Sequence, residues 1–107
     1  MASQQRTRLT ISAALSPNNT LLLAVTGYGI RVHSYTLVAA GAVTARFESA
    51  AGGTALTGVM SLIAGTPLVV NFEREGHFIT AASALLNLEL SDTVQVSGHL
   101  TYSLVEL

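Results

Sequence analysis

The chain has 107 residues, 50% of them hydrophobic and 10% charged, with a formal net charge of −1. That length corresponds to one domain, and the charged fraction is well below the roughly 25% of an average soluble domain. High hydrophobicity with low charge excludes disorder, zero cysteines exclude disulfide and thiolate-metal scaffolds, and five arginines against six carboxylates lack the basic surface that counterion release at nucleic acid requires.

Apolar residues recur with period 2 almost everywhere, the signature of β-strands. The first strand is expected over Thr7–Ala14. The segment from Met1 to about Ser16 reads equally as an N-terminal arm or as an ordinary edge strand. After Ser16-Pro17-Asn18-Asn19 a strand is expected over Thr20–Thr26, and after Gly27-Tyr28-Gly29 another over Ile30–Val38. In the latter, even positions read Ile, Val, Ser, Thr, Val and odd ones Arg31, His33, Tyr35, Leu37. Neither face is cleanly polar, which predicts a strand covered on both sides. Further strands are expected over Ala42–Glu48, Thr54–Leu56, Met60–Ile63, Leu68–Phe72 and His77–Thr80. A helical turn is possible over Thr80–Ala84, followed by a strand from Ala84. Val94–Leu104 alternates most cleanly, with Gly98 in its middle marking a bulge or a close backbone approach. Gly, Asn or Pro separates the runs at short intervals. No repeat or linker divides the chain, so residues 1–107 are expected to form a single all-β domain, a compact antiparallel β-sandwich, jelly-roll-like. Leu88 and Leu100 are expected in its core.

No segment has the roughly 20 apolar residues of a membrane span; the longest aliphatic stretch is Leu21–Val25. Arg6 and Arg8 imitate a signal n-region, but Leu9-Thr10-Ile11-Ser12 alternates and gives no apolar core. A soluble protein made without an export signal is the expectation. Lysine is absent. It is the residue most used to solvate free sheet edges and is depleted at interfaces, so the composition suggests a surface partly covered by a partner.

Catalytic and metal chemistry find no support. His33, His77 and His99 have no local ligand spacing, and surface or interface roles fit them better. There is no Gly-x-Ser-x-Gly elbow. Asp92 follows Ser91 at a strand end, and Glu73 and Glu75 flank Arg74 in a solvated turn. Gly27-Tyr28-Gly29 is too short for a phosphate loop, and the sequon Asn18-Asn19-Thr20 is of a kind that arises by chance. Hence no catalytic, cofactor-binding or metal residue is assigned. Arg31 and Arg46 lie on either side of the Ala39–Gly41 turn. If that turn closes a hairpin, they approach each other and need a carboxylate, from Glu48 or from another subunit; otherwise they are simply solvated. The candidate interface residues are Arg31, His33, Tyr35, Arg46 and His99.

Ile30–Val43, Phe47-Glu48-Ser49 with Thr54–Gly58, Gly76-His77-Phe78 with Thr80-Ala81-Ala82, Ala84–Ser91 and Val94–Tyr102 together resemble a segment of small structural proteins of tailed bacteriophages. The resemblance covers residues 30–105 and lies in structural positions. It implies a compact β-sandwich carried on the virion, without cofactors. It further implies a non-enzymatic head decoration (cement) protein, made in the host bacterial cytoplasm and located on the capsid surface. Its partners would be itself, as a homotrimer, and the major capsid protein, with no nucleic acid and no membrane. Weak contacts repeated by symmetry would give avidity. The alternative is a receptor- or glycan-binding module of a tail or fibre. That role calls for aromatic side chains on loops, and only Tyr28 reads as one; Tyr35, Tyr102, Phe47 and Phe72 read as strand-bound, and Phe78 follows a turn.

Overall fold

The computed structural model describes residues 6–107. Its strands are β1 (Thr7–Ala13), β2 (Asn18–Leu22), β3 (Tyr28–Ala39), β4 (Val43–Ser49), β5 (Thr54–Ala55), β6 (Met60–Leu62), β7 (Leu68–Val70), β8 (Phe78–Ile79), β9 (Leu86–Leu90) and β10 (Val96–Glu106). They form two antiparallel sheets. The front sheet runs β1-β10-β3-β7 with β8 also on β3; the back sheet runs β2-β9-β4-β5 with β6 also on β4. Pairing is nested: β1 with β10, β2 with β9, β3 with β7 and β8, β4 with β5 and β6. The chain is thus one long hairpin, rolled so that β10 also meets β3 and β9 also meets β4. Taking β5 with β6 and β7 with β8 as single positions, this is the jelly-roll order.

Alternating side chains fill the space between the sheets. The front sheet supplies Ile11, Ala13, Ile30, Val32, Tyr35, Leu37, Ala39, Val96 and Leu100. The back sheet supplies Val43, Ala45, Phe47, Leu62, Leu86, Leu88 and Leu90. Leu88 and Leu100 are both fully buried, each stabilising the fold by about 1.5–3 kcal/mol. Phe47 anchors the centre, with ring centroids 4.8 Å from Tyr35 and 5.1 Å from Phe78.

In β3 the inward set changes phase. Ile30 and Val32 point to the core, and so do Tyr35, Leu37 and Ala39. On β10, Tyr102 faces Val32 while Thr101 faces Ser34, so His33 is an extra residue, a β-bulge. This explains why neither parity of the strand reads as polar: the faces exchange in the middle. At Gly98 the φ of 152° and a built Cβ that would overlap the Thr36 carbonyl oxygen show a close backbone approach, without a bulge there.

Three expectations are corrected and one open choice is narrowed. The Ala39–Gly41 turn crosses between sheets, because β3 and β4 belong to different ones, so it closes no hairpin between Arg31 and Arg46. Residues 80–84 form a turn, with Ala84 N donating to Ala81 O at 3.2 Å and Ser83 at φ 61°, not a helix. β7 ends at Val70, which leaves Phe72 on the segment that follows; Tyr28 in turn is the first residue of β3. Of the N-terminal segment, Thr7–Ala13 is an edge strand on β10, and residues 1–5 lie outside the described residues.

Candidate functional site

The outer face of the front sheet is made of short polar and β-branched side chains in register. One row reads Thr10, His99, Thr36, Val69 across β1, β10, β3 and β7. Its neighbours read Ser12, Ser97, Val38 and Arg8, Thr101, Ser34. Arg8 is the single charge in these rows. Thr10, Ser12, Ser97 and His99 are exposed, and Val69 is 58% exposed. A shallow depression lined by Val38, Ala39, Ala40, Gly65, Gln95 and Ser97 borders the face at its upper end.

Further down the same face, the segment from Asn71 to His77 folds over the bulge. Glu73 N donates to His33 O at 2.9 Å, and His77 N donates to Val32 O at 2.8 Å. The Glu73 carbonyl only accepts, so His33 Nδ1 donates to it, at 2.9 Å. His33 Nε2 meets the Ser103 hydroxyl at 2.8 Å. Phe72 stacks on the His33 ring at 5.4 Å, and the Arg6 guanidinium lies 5.3 Å from the Phe72 centroid. The bulge thus turns a histidine into the fastener of an otherwise irregular segment.

The outer face of the back sheet is ionic. Arg46 stands opposite Glu89 and Glu48 opposite Asn87. Arg46 binds Glu48 Oε2 through Nη2 at 2.8 Å and through Nε at 2.9 Å, and Glu89 Oε1 at 3.1 Å. Asn87 Nδ2 donates to Glu48 Oε1 at 2.8 Å and to Asn18 Oδ1 at 3.1 Å, and Gly52 N reaches Glu48 Oε1 at 3.1 Å. Glu48 is 0% exposed. Burial alone pushes its carboxyl up; hydrogen bonds from Asn87, Arg46 and Gly52, with the Arg46 charge, outweigh that and hold it below the ordinary carboxylate value. No buried side-chain polar atom lacks a partner among the described residues.

The five candidate interface residues are therefore scattered. His99 is exposed at the centre of the front face. Arg31 is half-buried, its stem against Gly76. Arg46 keeps a third of its side chain exposed and is tied to Glu48 and Glu89. His33 (1% exposed) and Tyr35 (6%) lie inside the chain, which removes them from direct contact with a partner. Tyr35 donates to the Met60 sulfur at 3.7 Å, and burial pushes its hydroxyl pKa up. Among the described residues no three His, Asp or Glu side chains form a metal-holding group. Sequence reasoning missed Phe72 and Asn87. The run Asn71-Phe72-Glu73-Arg74-Glu75-Gly76 carried the signal for Phe72, since a strand rarely continues into three successive charges. Asn87 sits between two core leucines in an apolar strand and needed a polar partner there.

In comparisons with known proteins, no family model, curated sequence or solved structure matches the chain.

Proposed function

We propose that the chain is a non-enzymatic structural protein of a tailed-phage virion, a head decoration protein that binds the capsid exterior through the major capsid protein. One observation carries the reading most: the flat, charge-poor row of Thr10, His99, Thr36 and Val69 on a rigid jelly roll. Short Ser, Thr and Val side chains lose little rotamer freedom on burial, and a face with almost no charge carries little desolvation penalty when water leaves it. The resemblance of residues 30–105 supplies the virion context, and the lysine-free composition agrees with a surface that spends its life covered.

The tail or fibre alternative asks for an aromatic platform. Phe72, 52% exposed, is the one large ring on a described loop, and His33 and Arg6 already engage it. That leaves the decoration reading ahead.

Co-sedimentation with undecorated heads of the encoding phage tests it. The wild-type chain is expected to pellet with heads. His99→Glu or Thr36→Arg is expected to abolish pelleting while Ser61→Arg on the back sheet leaves it intact. Failure of the wild-type chain to pellet, or pelleting indifferent to the front-face variants, overturns the reading.

A further inference from the structure

A sandwich of two open sheets has four edges, and each edge is a template for another strand unless something blunts it. Three of the four are blunted here in recognisable ways. The β7/β8 edge consists of strands of three and two residues, interrupted by a segment carrying Glu73, Arg74 and Glu75. The β5/β6 edge has two and three residues and is broken between Ala55 and Met60. The β2 edge has five residues, directly after Pro17, and its register on β9 slips between Thr20 and Leu22.

The fourth edge, β1, has none of these devices. Its seven residues pair with β10 in one continuous register from Thr7–Tyr102 to Ala13–Val96. It holds no proline, no lysine and no inward-pointing charge. Among the described residues, no backbone hydrogen bond from another segment reaches its free side.

The strand is also complementary to itself. An antiparallel copy turned about Thr10 sets Thr7 against Ala13, Arg8 against Ser12, Leu9 against Ile11 and Thr10 against Thr10. Core-facing residues then meet core-facing residues, and the single charge of the strand, Arg8, faces a serine. Leu9, only partly buried against the core, gains the Ile11 of the copy on its open flank. Seven residues give a ladder of about 24 Å with about six to eight main-chain hydrogen bonds.

We infer that β1 is the self-association edge of this protein, joining two copies across a two-fold axis at Thr10 into one ten-stranded front sheet. The occupant is a second copy of this chain. The row of Thr10, His99, Thr36 and Val69 continues through the axis into the same row of the second copy and doubles the charge-poor face. This assembly differs from the trimer that the phage resemblance implies, and it stands or falls without the capsid.

The test uses the full chain and two variants of exposed Thr10, with circular dichroism confirming that each is folded. Light scattering after size exclusion is expected to give a mass of two chains for the wild type. Thr10→Lys and Thr10→Glu each place like charges directly opposite, and each is expected to weaken the dimer about five-fold. An equimolar mixture of the two is expected to restore a dimer at least as tight as the wild type. In the wild-type dimer, hydrogen exchange of the β1 amides on the free side is expected to slow, and Thr10→Lys is expected to release it. A wild-type monomer at all concentrations, a mass of three chains unchanged by either variant, or a mixture no tighter than its components overturns the inference.

Discussion

The two outer faces of the sandwich handle polarity in opposite ways. The back face gathers Arg46, Glu48, Glu89, Asn87 and Asn18 into one bonded network whose central carboxylate is out of water. The part of the front face clear of the 71–77 segment spreads Ser, Thr and Val in rows, with Arg8 as their only charge. A buried ion network satisfies itself and has little left to offer a partner. A face of short, uncharged side chains leaves its bonding capacity to whatever covers it. The contrast separates a face that serves the fold from a face free to serve an interaction.

Four perturbations break or sharpen this contrast. The largest effect is expected at Gly98, which lets the front sheet close: Gly98→Val collides with the Thr36 carbonyl and should cost more than about 4 kcal/mol in denaturant unfolding. Next come the leucines beneath each face. Leu88→Ala and Leu100→Ala should each cost about 2–5 kcal/mol, since both are fully buried in one shared core; a loss below 1 kcal/mol at either would mean the sheets do not share it equally. Third is Glu48→Gln. The charge-assisted bonds of Glu48 give way to neutral ones, at a cost of about 1 kcal/mol at pH 7. Its sign with pH is fixed. The folded carboxyl lies below the unfolded value of 4.5, so the stabilisation is complete above that value and is lost as pH falls through the folded one. Stability curves of wild type and Glu48→Gln should therefore converge in acid, and a constant gap down to pH 2 would remove the ionised carboxylate from the account. The smallest effect is expected at His99→Ala, within about 0.5 kcal/mol, because the exposed front face does little for the fold.

Most of the architecture was legible before the structure, and for a local reason. Most strands are period-2 runs and most turns are marked by Gly, Asn or Pro, so ten strands are found near the expected places, with β2 displaced from Thr20–Thr26 to Asn18–Leu22. What is non-local stayed hidden. Residues 31 and 46 look like hairpin partners by spacing, yet nothing in the spacing says that the turn between them changes sheets. The mixed polarity of Ile30–Val38 was visible, but a bulge at His33 and a strand covered on both sides write the same pattern. The fate of His33 depends on Phe72, Glu73 and Ser103, separated from it by 39, 40 and 70 positions, and no local signal links them. Glu48 was legible as a possible partner of Arg46, because carboxylates are scarce here; its complete burial was not, since that depends on Asn87 and Gly52.

The nested pairing also dictates the order in which this molecule can come into being. Thr7 finds its place only beside Tyr102, and Asn18 beside Glu89. While the chain emerges from the ribosome, β1 and β3 must wait without the strand that separates them until β10, eleven residues long, has followed. Such distant contacts put folding on a timescale of about milliseconds to seconds. Trimming β10 would therefore do more than shorten one strand. It would leave β1 with no neighbour in its sheet and β3 with only the short strands of its far side.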